Sequence, residues 1–163
     1  MKTIIIYTSV HHGNTKKVAD VMAKVLHAKL IDSNKVNVDE LSNYDLIGFG
    51  SGIFMLKHHK KLFEVVCGLP ILENKKAFVF STSGMKHGVR FHKPLKRQLA
   101  TKGFNIIKEF SCLGFDTFSL WKLFGGLNKN RPNKKDLGMA SDFAQELGKN
   151  LSISKKYNNI QGL

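Results

Sequence analysis

Near its start the chain reads Thr8-Ser9-Val10-His11-His12-Gly13-Asn14-Thr15, a run of hydroxyls, imidazoles and an amide placed just before a helical pattern. The first backbone N–H groups of a helix lack intrahelical partners, and the aligned peptide dipoles leave partial positive charge there. Hydroxyl and amide side chains at such a terminus form an anion cradle suited to phosphate. The loop lacks the G-x-x-x-x-G-K-[ST] of a nucleotide-hydrolysing P-loop, so no lysine is placed for a terminal phosphate. It also lacks the G-x-G-x-x-G of a dinucleotide site. The same residues equally suit an ordinary polar strand–helix turn capped by Asn14.

Three further segments stand out: Gly50–His59, Ser81–His92 and Ser111–Pro132. Adjacent histidines on a helix diverge by about 100°, so Lys57-His58-His59-Lys60-Lys61 reads as a solvated basic helix start and not as a metal site. Neither Cys67 nor Cys112 is followed by an arginine at the spacing of a phosphatase nucleophile loop, and no acidic cluster follows the first strand. No catalytic residue and no metal ligand is singled out.

The elements that must position these segments follow from periodicity. Residues 2–7 read as a buried strand, and Val18, Val21, Met22, Val25 and Leu26 form one face of a helix. A weak strand is expected within 29–38 and a buried one over 44–50. A helical face at His59, Leu62, Phe63, Val66 and Cys67 closes at Gly68 and Pro70. Residues 75–81 form the clearest strand, and the next helix tolerates Pro94 in its first turn. Residues 104–110 make a further strand. A last helix carries Leu137, Ala140, Ala144 and Leu147, with Asn133 and Asp136 in the form of a capping box. Five strands alternating with four helices predict an α/β fold, a parallel sheet with helices on both faces. Each singled-out loop follows a strand, so all would gather at the carboxyl edge of the sheet, where such folds bind ligands.

The ordered set of loops resembles the flavodoxin family. The resemblance rests on Ser9-Val10-His11-His12-Gly13-Asn14-Thr15, then Gly48-Phe49-Gly50-Ser51-Gly52-Ile53, then Phe80-Ser81-Thr82-Ser83-Gly84. Gly114-Phe115-Asp116 and Arg131-Pro132-Asn133 complete it. The family's phosphate loop has a hydroxyl residue directly before the glycine and another two positions earlier; here His12 and Val10 stand there, as in a branch with an S-x-H-H-G-N-T loop. The resemblance implies a doubly wound five-stranded parallel sheet of strand order 2-1-3-4-5 and FMN as cofactor. It implies phosphate contacts from Ser9, Val10, His11, His12, Gly13, Asn14 and Thr15. Flavin-ring contacts would come from Ser51, Gly52, Ile53, Phe54, Ser81, Thr82, Ser83, Gly84, Phe115 and Asp116. Gly50, Ser51 and Gly52 would let backbone approach the ring. The Trp and Tyr that flank the ring in many flavodoxins are missing from these loops, and Phe54, Phe91 or Phe115 would substitute. The aromatic stretch 115–126, which holds the single Trp121, could cover the flavin, form a dimer contact, receive a partner, or simply pack as a short helix.

The expected division is a flavodoxin-like FMN-binding domain over 1–151 and a polar C-terminal tail over 152–163. The function implied is electron transfer between redox partners. The alternative is an FMN-dependent reductase or oxidase of quinone-like or porphyrinogen-like molecules, so whether the protein is an enzyme stays open. Charge bears on this choice. The 163 residues include 26 Lys and Arg against 12 Asp and Glu, a formal net charge of +14. Charge alone raises a nucleic-acid-binding module as a remote alternative, but no recognised motif supports it. Between Ser83 and Arg131 there are ten basic and two acidic residues, so over half the excess lies in the half with the third loop and the aromatic connection. That placement suits steering of an acidic redox partner protein or an anionic substrate. No apolar run approaches the roughly 18 residues of a membrane span. The brief Ile4–Tyr7 stretch is too short for a signal-peptide core, so a cytoplasmic protein, monomer or weak dimer, with reduced cysteines is expected.

Overall fold

The computed structural model describes residues 1–117 and 126–161, with side chains described through Ile153. Strands β1 (Thr3–Thr8), β2 (Lys29–Asp32), β3 (Leu46–Phe54), β5 (Lys75–Ser83) and β6 (Phe104–Leu113) form a parallel sheet; β4 (Lys57–His58) pairs antiparallel with the end of β3. The parallel order is β2-β1-β3-β5-β6, which is the expected 2-1-3-4-5 once the short β4 is set aside. Helices α1 (Asn14–Leu26) and α4 (Lys134–Gln161) cover one face, and α2 (Lys60–Cys67) and α3 (Lys93–Thr101) the other.

Strand alternation builds both layers of the core. Ile5, Phe78, Phe80 and Phe110 point toward α1 and α4, where they meet Val18, Met22, Phe143 and Leu147. Ile4, Ile6, Ile47, Phe49 and Val79 point the other way, toward Leu62 and Val66 of α2 and Leu95 and Leu99 of α3. Strands covered on both faces read as continuous apolar runs, which is why Thr3-Ile4-Ile5-Ile6 shows no alternation.

Gly48 and Gly50 have a packing purpose. They lie opposite Phe78 and Phe80 in the β3–β5 register, and the two phenyl rings cross over them. A Cβ on Gly50 would sit 2.1 Å from Phe80 Cζ, and one on Gly48 2.4 Å from Phe78 Cζ. The close approach that Gly50 permits is therefore between two strands of the sheet, contrary to the expected approach of backbone to a ligand.

Helix termini explain further boundaries. Pro94 sits in the first turn of α3, as its missing N–H requires. The capping box before α4 is reciprocal: Asn133 N–H donates to Asp136 Oδ2 at 2.8 Å and Asp136 N–H to Asn133 Oδ1 at 3.1 Å. Arg131 clamps the same carboxylate from Nη1. The backbone of α4 continues past Leu151 to Gln161, so the boundary expected at 151/152 falls inside a helix. No described helix is long and apolar enough to cross a membrane.

Candidate functional site

At the carboxyl ends of β1, β3, β5 and β6 lies a cavity of about 780 Å³, within the range of small-molecule and cofactor sites. Its wall holds Val10, His11, Asn14, Thr15, Gly52, Ile53, Phe54, Thr82, Ser83, Gly84, Phe115 and Asp116 among the residues expected from sequence. Ser9, His12, Gly13, Ser51 and Ser81 do not border it.

The β1–α1 loop enters its helix through two successive left-handed residues, His12 at φ 53° and Gly13 at φ 66°. Gly13 is the N-cap and makes no side-chain bond, so Asn14 is not the cap but the first helical residue. Ser9 Oγ accepts from the Lys16 amide at 3.3 Å. Asn14 Nδ2 donates to the Phe115 carbonyl at 2.7 Å, tying the first loop to the segment after β6. That bond fixes the amide's orientation and leaves Asn14 Oδ1, buried and without a protein partner, at the cavity. Thr15 Oγ1 and Thr82 Oγ1 share a buried hydrogen bond of 2.9 Å between α1 and β5. The exposed His11 ring lies 5.5 Å from Phe54. His12 is turned aside, with Nε2 3.0 Å from Thr117 Oγ1 and its ring 4.3 Å from Phe115.

The segment after β3 is a hairpin, where a loop was expected. β3 runs on to Phe54, turns through Met55 and Leu56, and returns as β4. Both turn residues have positive φ, 46° and 63°, the geometry of a tight hairpin turn that usually selects Asn-Gly. Met55 is 86% exposed and Leu56 59%, and both border the cavity. The Phe54 ring folds back over Gly52.

The segment after β6 is pinned as well. Gly114 N–H donates to the Ser83 carbonyl, Phe115 N–H to the Arg131 carbonyl, and Asp116 and Leu127 exchange backbone hydrogen bonds at 2.9 and 2.7 Å. Residues 118–125, including the expected roles of Trp121, lie outside the described residues. Phe91 belongs to a 3-10 turn over Gly88–His92 and does not border the cavity.

Four loops at the carboxyl ends of strands ordered 2-1-3-4-5, with a helix N-terminus on the cavity, match one known architecture. The model of the flavodoxin domain family matches residues 4–114. The chain belongs to the flavodoxin family. An uncharacterized protein of Methanocaldococcus jannaschii is 48% identical over 151 residues, 92% of this chain and all of that one. Among solved structures, a flavodoxin from the domain Archaea superposes with a TM-score of 0.67 at 18% identity, covering 93% of this chain and 99% of that one. Oxidised flavodoxin 2 from Bacillus cereus gives 0.66 at 18% identity over 88% and 95%.

In this flavodoxin the sequence reading missed the polar floor beneath the hairpin. Lys57–His59 were expected on a solvated helix start, yet His58 is 1% exposed. Its Nδ1 lies 2.8 Å from Ser51 Oγ, which also accepts from the His59 amide at 2.9 Å. His58 Nε2 has no protein partner, and the ring stands 4.8 Å from that of His92. His92 is buried between Ser81 Oγ, 2.8 Å from Nε2, and Glu109 Oε2, 3.0 Å from Nδ1. Lys96 pairs with the other oxygen of Glu109. Burial, reinforced by His92, holds the His58 imidazole well below its usual range. Burial also lowers His92, outweighing the Glu109 carboxylate that favours its proton. His59 is the cap of α2, accepting from the Lys61 amide, and burial lowers it too. No sequence signal separates His58 from its exposed neighbours, because its burial depends on the strand reversing at Met55-Leu56. Burial pushes the Cys112 thiol up to about 12, so it is a packing group.

The residues present suit a flavin nucleotide on the evidence of the donors and acceptors themselves. Asn14 Oδ1 is an acceptor without a partner, which repels a phosphate oxygen but takes an O–H, so it suits a polyol hydroxyl. The helix N-terminus beside it suits an anion. Ile53, Phe54 and Phe115 supply apolar wall for a flat ring.

Proposed function

We propose that this protein binds FMN in the cavity and passes electrons between redox partners. The observation that carries the reading is the pairing, within one cavity of the flavodoxin fold, of a helix N-terminus with the buried, unpartnered acceptor Asn14 Oδ1. An unmet buried acceptor costs about 1–3 kcal/mol, so a ligand hydroxyl that satisfies it contributes on that scale. The backbone of Val10–Gly13 would hold the phosphate, with His11 at the rim. Ile53, Phe54 and Phe115 would hold the ring faces, and the Thr82–Gly84 backbone its polar edge. Ser9, Ser51 and Ser81, which do not border the cavity, would act by fixing these backbones. FMN, when bound, supplies one- and two-electron chemistry; the protein supplies orientation and electrostatics.

The partner we propose is an acidic redox protein. Val10, Met55, Leu56 and Met85 are exposed apolar side chains at the cavity, and the exposed Lys57, Lys60 and Lys86 lie beside them in sequence. A cationic rim around an apolar centre favours a negatively charged docking face, and added salt would then slow partner reduction.

The test is stepwise reduction of the purified protein with added FMN, followed by visible absorption. Retained yellow flavin that is reduced in two resolved single-electron steps supports the carrier. Retained flavin with rapid two-electron turnover of a quinone makes the protein a reductase instead. Failure to retain FMN overturns the reading.

A further inference from the structure

We propose that His58 is the proton-exchanging residue of this cavity, taking up a proton when the cavity's occupant gains negative charge and releasing it when that charge is lost. This rests on the flavin reading above. Three features of the geometry single out His58. It borders the cavity although its side chain is almost wholly buried. Ser51 Oγ donates to the Gly52 carbonyl at 2.9 Å, so its single hydrogen is used and the 2.8 Å contact to His58 is a bond from Nδ1–H. That tautomer leaves Nε2 as a bare acceptor, and Nε2 has no protein partner. In the adjacent His92 both ring nitrogens are engaged, by Glu109 and by Ser81. The open proton position of the pair is therefore on His58.

The surroundings explain why this position is empty until an anion arrives. β4 packs against β3, the 3-10 turn Gly88–His92 and α3. β3 carries no ionisable side chain; the turn carries Arg90 and His92, and α3 carries Lys93, Lys96 and Arg97. Lys57, His59 and Lys60 flank His58 in sequence. Glu109, the acid nearest in this network, is held by His92 and Lys96. Apart from Asp116 on the wall of the same cavity, every other charge named is positive, and two imidazoles with centroids 4.8 Å apart disfavour a second proton. Negative charge in the cavity opposes both the cationic field and the burial penalty. Electrons come from the reduced redox partner and remain on the occupant. The proton comes from hydronium in the solvent: one O–H bond breaks, leaving water, and one N–H bond forms on Nε2, with no other bond made or broken.

The experiment is imidazole nitrogen NMR of the FMN-loaded protein, oxidised and reduced, across about pH 6 to 8, where histidine charge changes are decided. The His58 signal, assigned by its loss in His58→Gln, is expected to be neutral in the oxidised protein and cationic in the reduced protein at neutral pH. The two-electron potential of wild type should then fall with pH more steeply than that of His58→Gln. The difference is about 30 mV per pH unit, one proton for two electrons. His92→Gln removes the neighbouring imidazole and should move the uptake to higher pH. A His58 that stays neutral in both redox states overturns the inference while leaving FMN binding intact. If His58→Gln does not fold, His92→Gln and the redox response of the histidine signals in wild type decide the matter alone. Failure of the protein to load FMN overturns both readings.

Discussion

The β1–α1 loop and the β3–β4 hairpin border the same cavity, yet their residues reach it by opposite routes. The loop is polar, and each side chain keeps an ordinary chemical role: Ser9 bonds the Lys16 amide close by, while Asn14 and Thr15 reach the Phe115 carbonyl and Thr82 of β5. The hairpin contradicts its local preferences. Two bulky apolar residues occupy a positive-φ turn, and the imidazole that follows them is buried beneath it. Bulky side chains in that region cost of order 1–3 kcal/mol each, a cost that tertiary contacts must offset. The lesson is that the loop uses residues in the roles their chemistry suggests, even where their partners are distant, whereas the hairpin is set by what lies under it.

Four experiments would sharpen or break that contrast. The largest effect is expected where β3, the strand that carries the hairpin, lies against β5. Gly50→Val drives a side chain into the Phe80 ring and should cost about 3 kcal/mol, near the top of the overpacking range. A denaturant midpoint unchanged from wild type would contradict the packing assigned to Gly50.

Next comes pH. His58 and His92 are held below their ordinary 6.5 in the folded protein, so below that pH the unfolded chain binds more protons than the folded one. Their contribution to stability is fully present above the unfolded value and declines as pH falls toward the folded values. The slope is at most about 1.4 kcal/mol per pH unit for each such group. Denaturant midpoints of wild type should fall between about pH 7 and 5, and His58→Gln should flatten that fall. Equal slopes in both proteins would place His58 in solvent, returning it to the sequence expectation.

A smaller effect is expected in the loop. Asn14→Ala removes both the acceptor at the cavity and the tie to Phe115. It should weaken FMN and riboflavin alike, by about tenfold at most, since one net hydrogen bond is worth roughly 1 kcal/mol. Loss confined to FMN would move Asn14 to the phosphate. The smallest effect concerns the turn: Met55→Asn with Leu56→Gly relieves the positive-φ cost and should raise stability by about 1 kcal/mol. Destabilisation would show that the two side chains pack rather than stand exposed.

The same contrast governs how much could be read before the fold was known. Element order and the gathering of four loops at one edge follow from apolar runs and helical faces, which tertiary context reinforces, whereas the sheet order comes only from the resemblance to flavodoxins. The Asn133–Asp136 box and Pro94 were legible because capping is local. The extension of β3 to Phe54 was not, because Gly50-Ser51-Gly52 reads as loop, while Gly50 passes beneath Phe80 of β5 and Gly52 beneath Phe54. Nor was His58, whose type and neighbours describe a solvated cation; only strand reversal buries it. Ser51 and Ser81 illustrate a middle case. They lie in the loops that were singled out, but their hydroxyls face His58 and His92 instead of the cavity. Helix α4 beyond Ser152 shows that a polar sequence can stay helical when it continues a helix nucleated by buried residues.

The most direct measurement of the central claim is calorimetric titration of the protein with FMN and, separately, with riboflavin. Both share the ring and the polyol; only FMN carries the phosphate. A cavity built as described binds one FMN per chain, and binds riboflavin at least tenfold more weakly because the β1–α1 terminus then has no anion to hold. Equal affinity for the two, or no binding of either, would contradict the account.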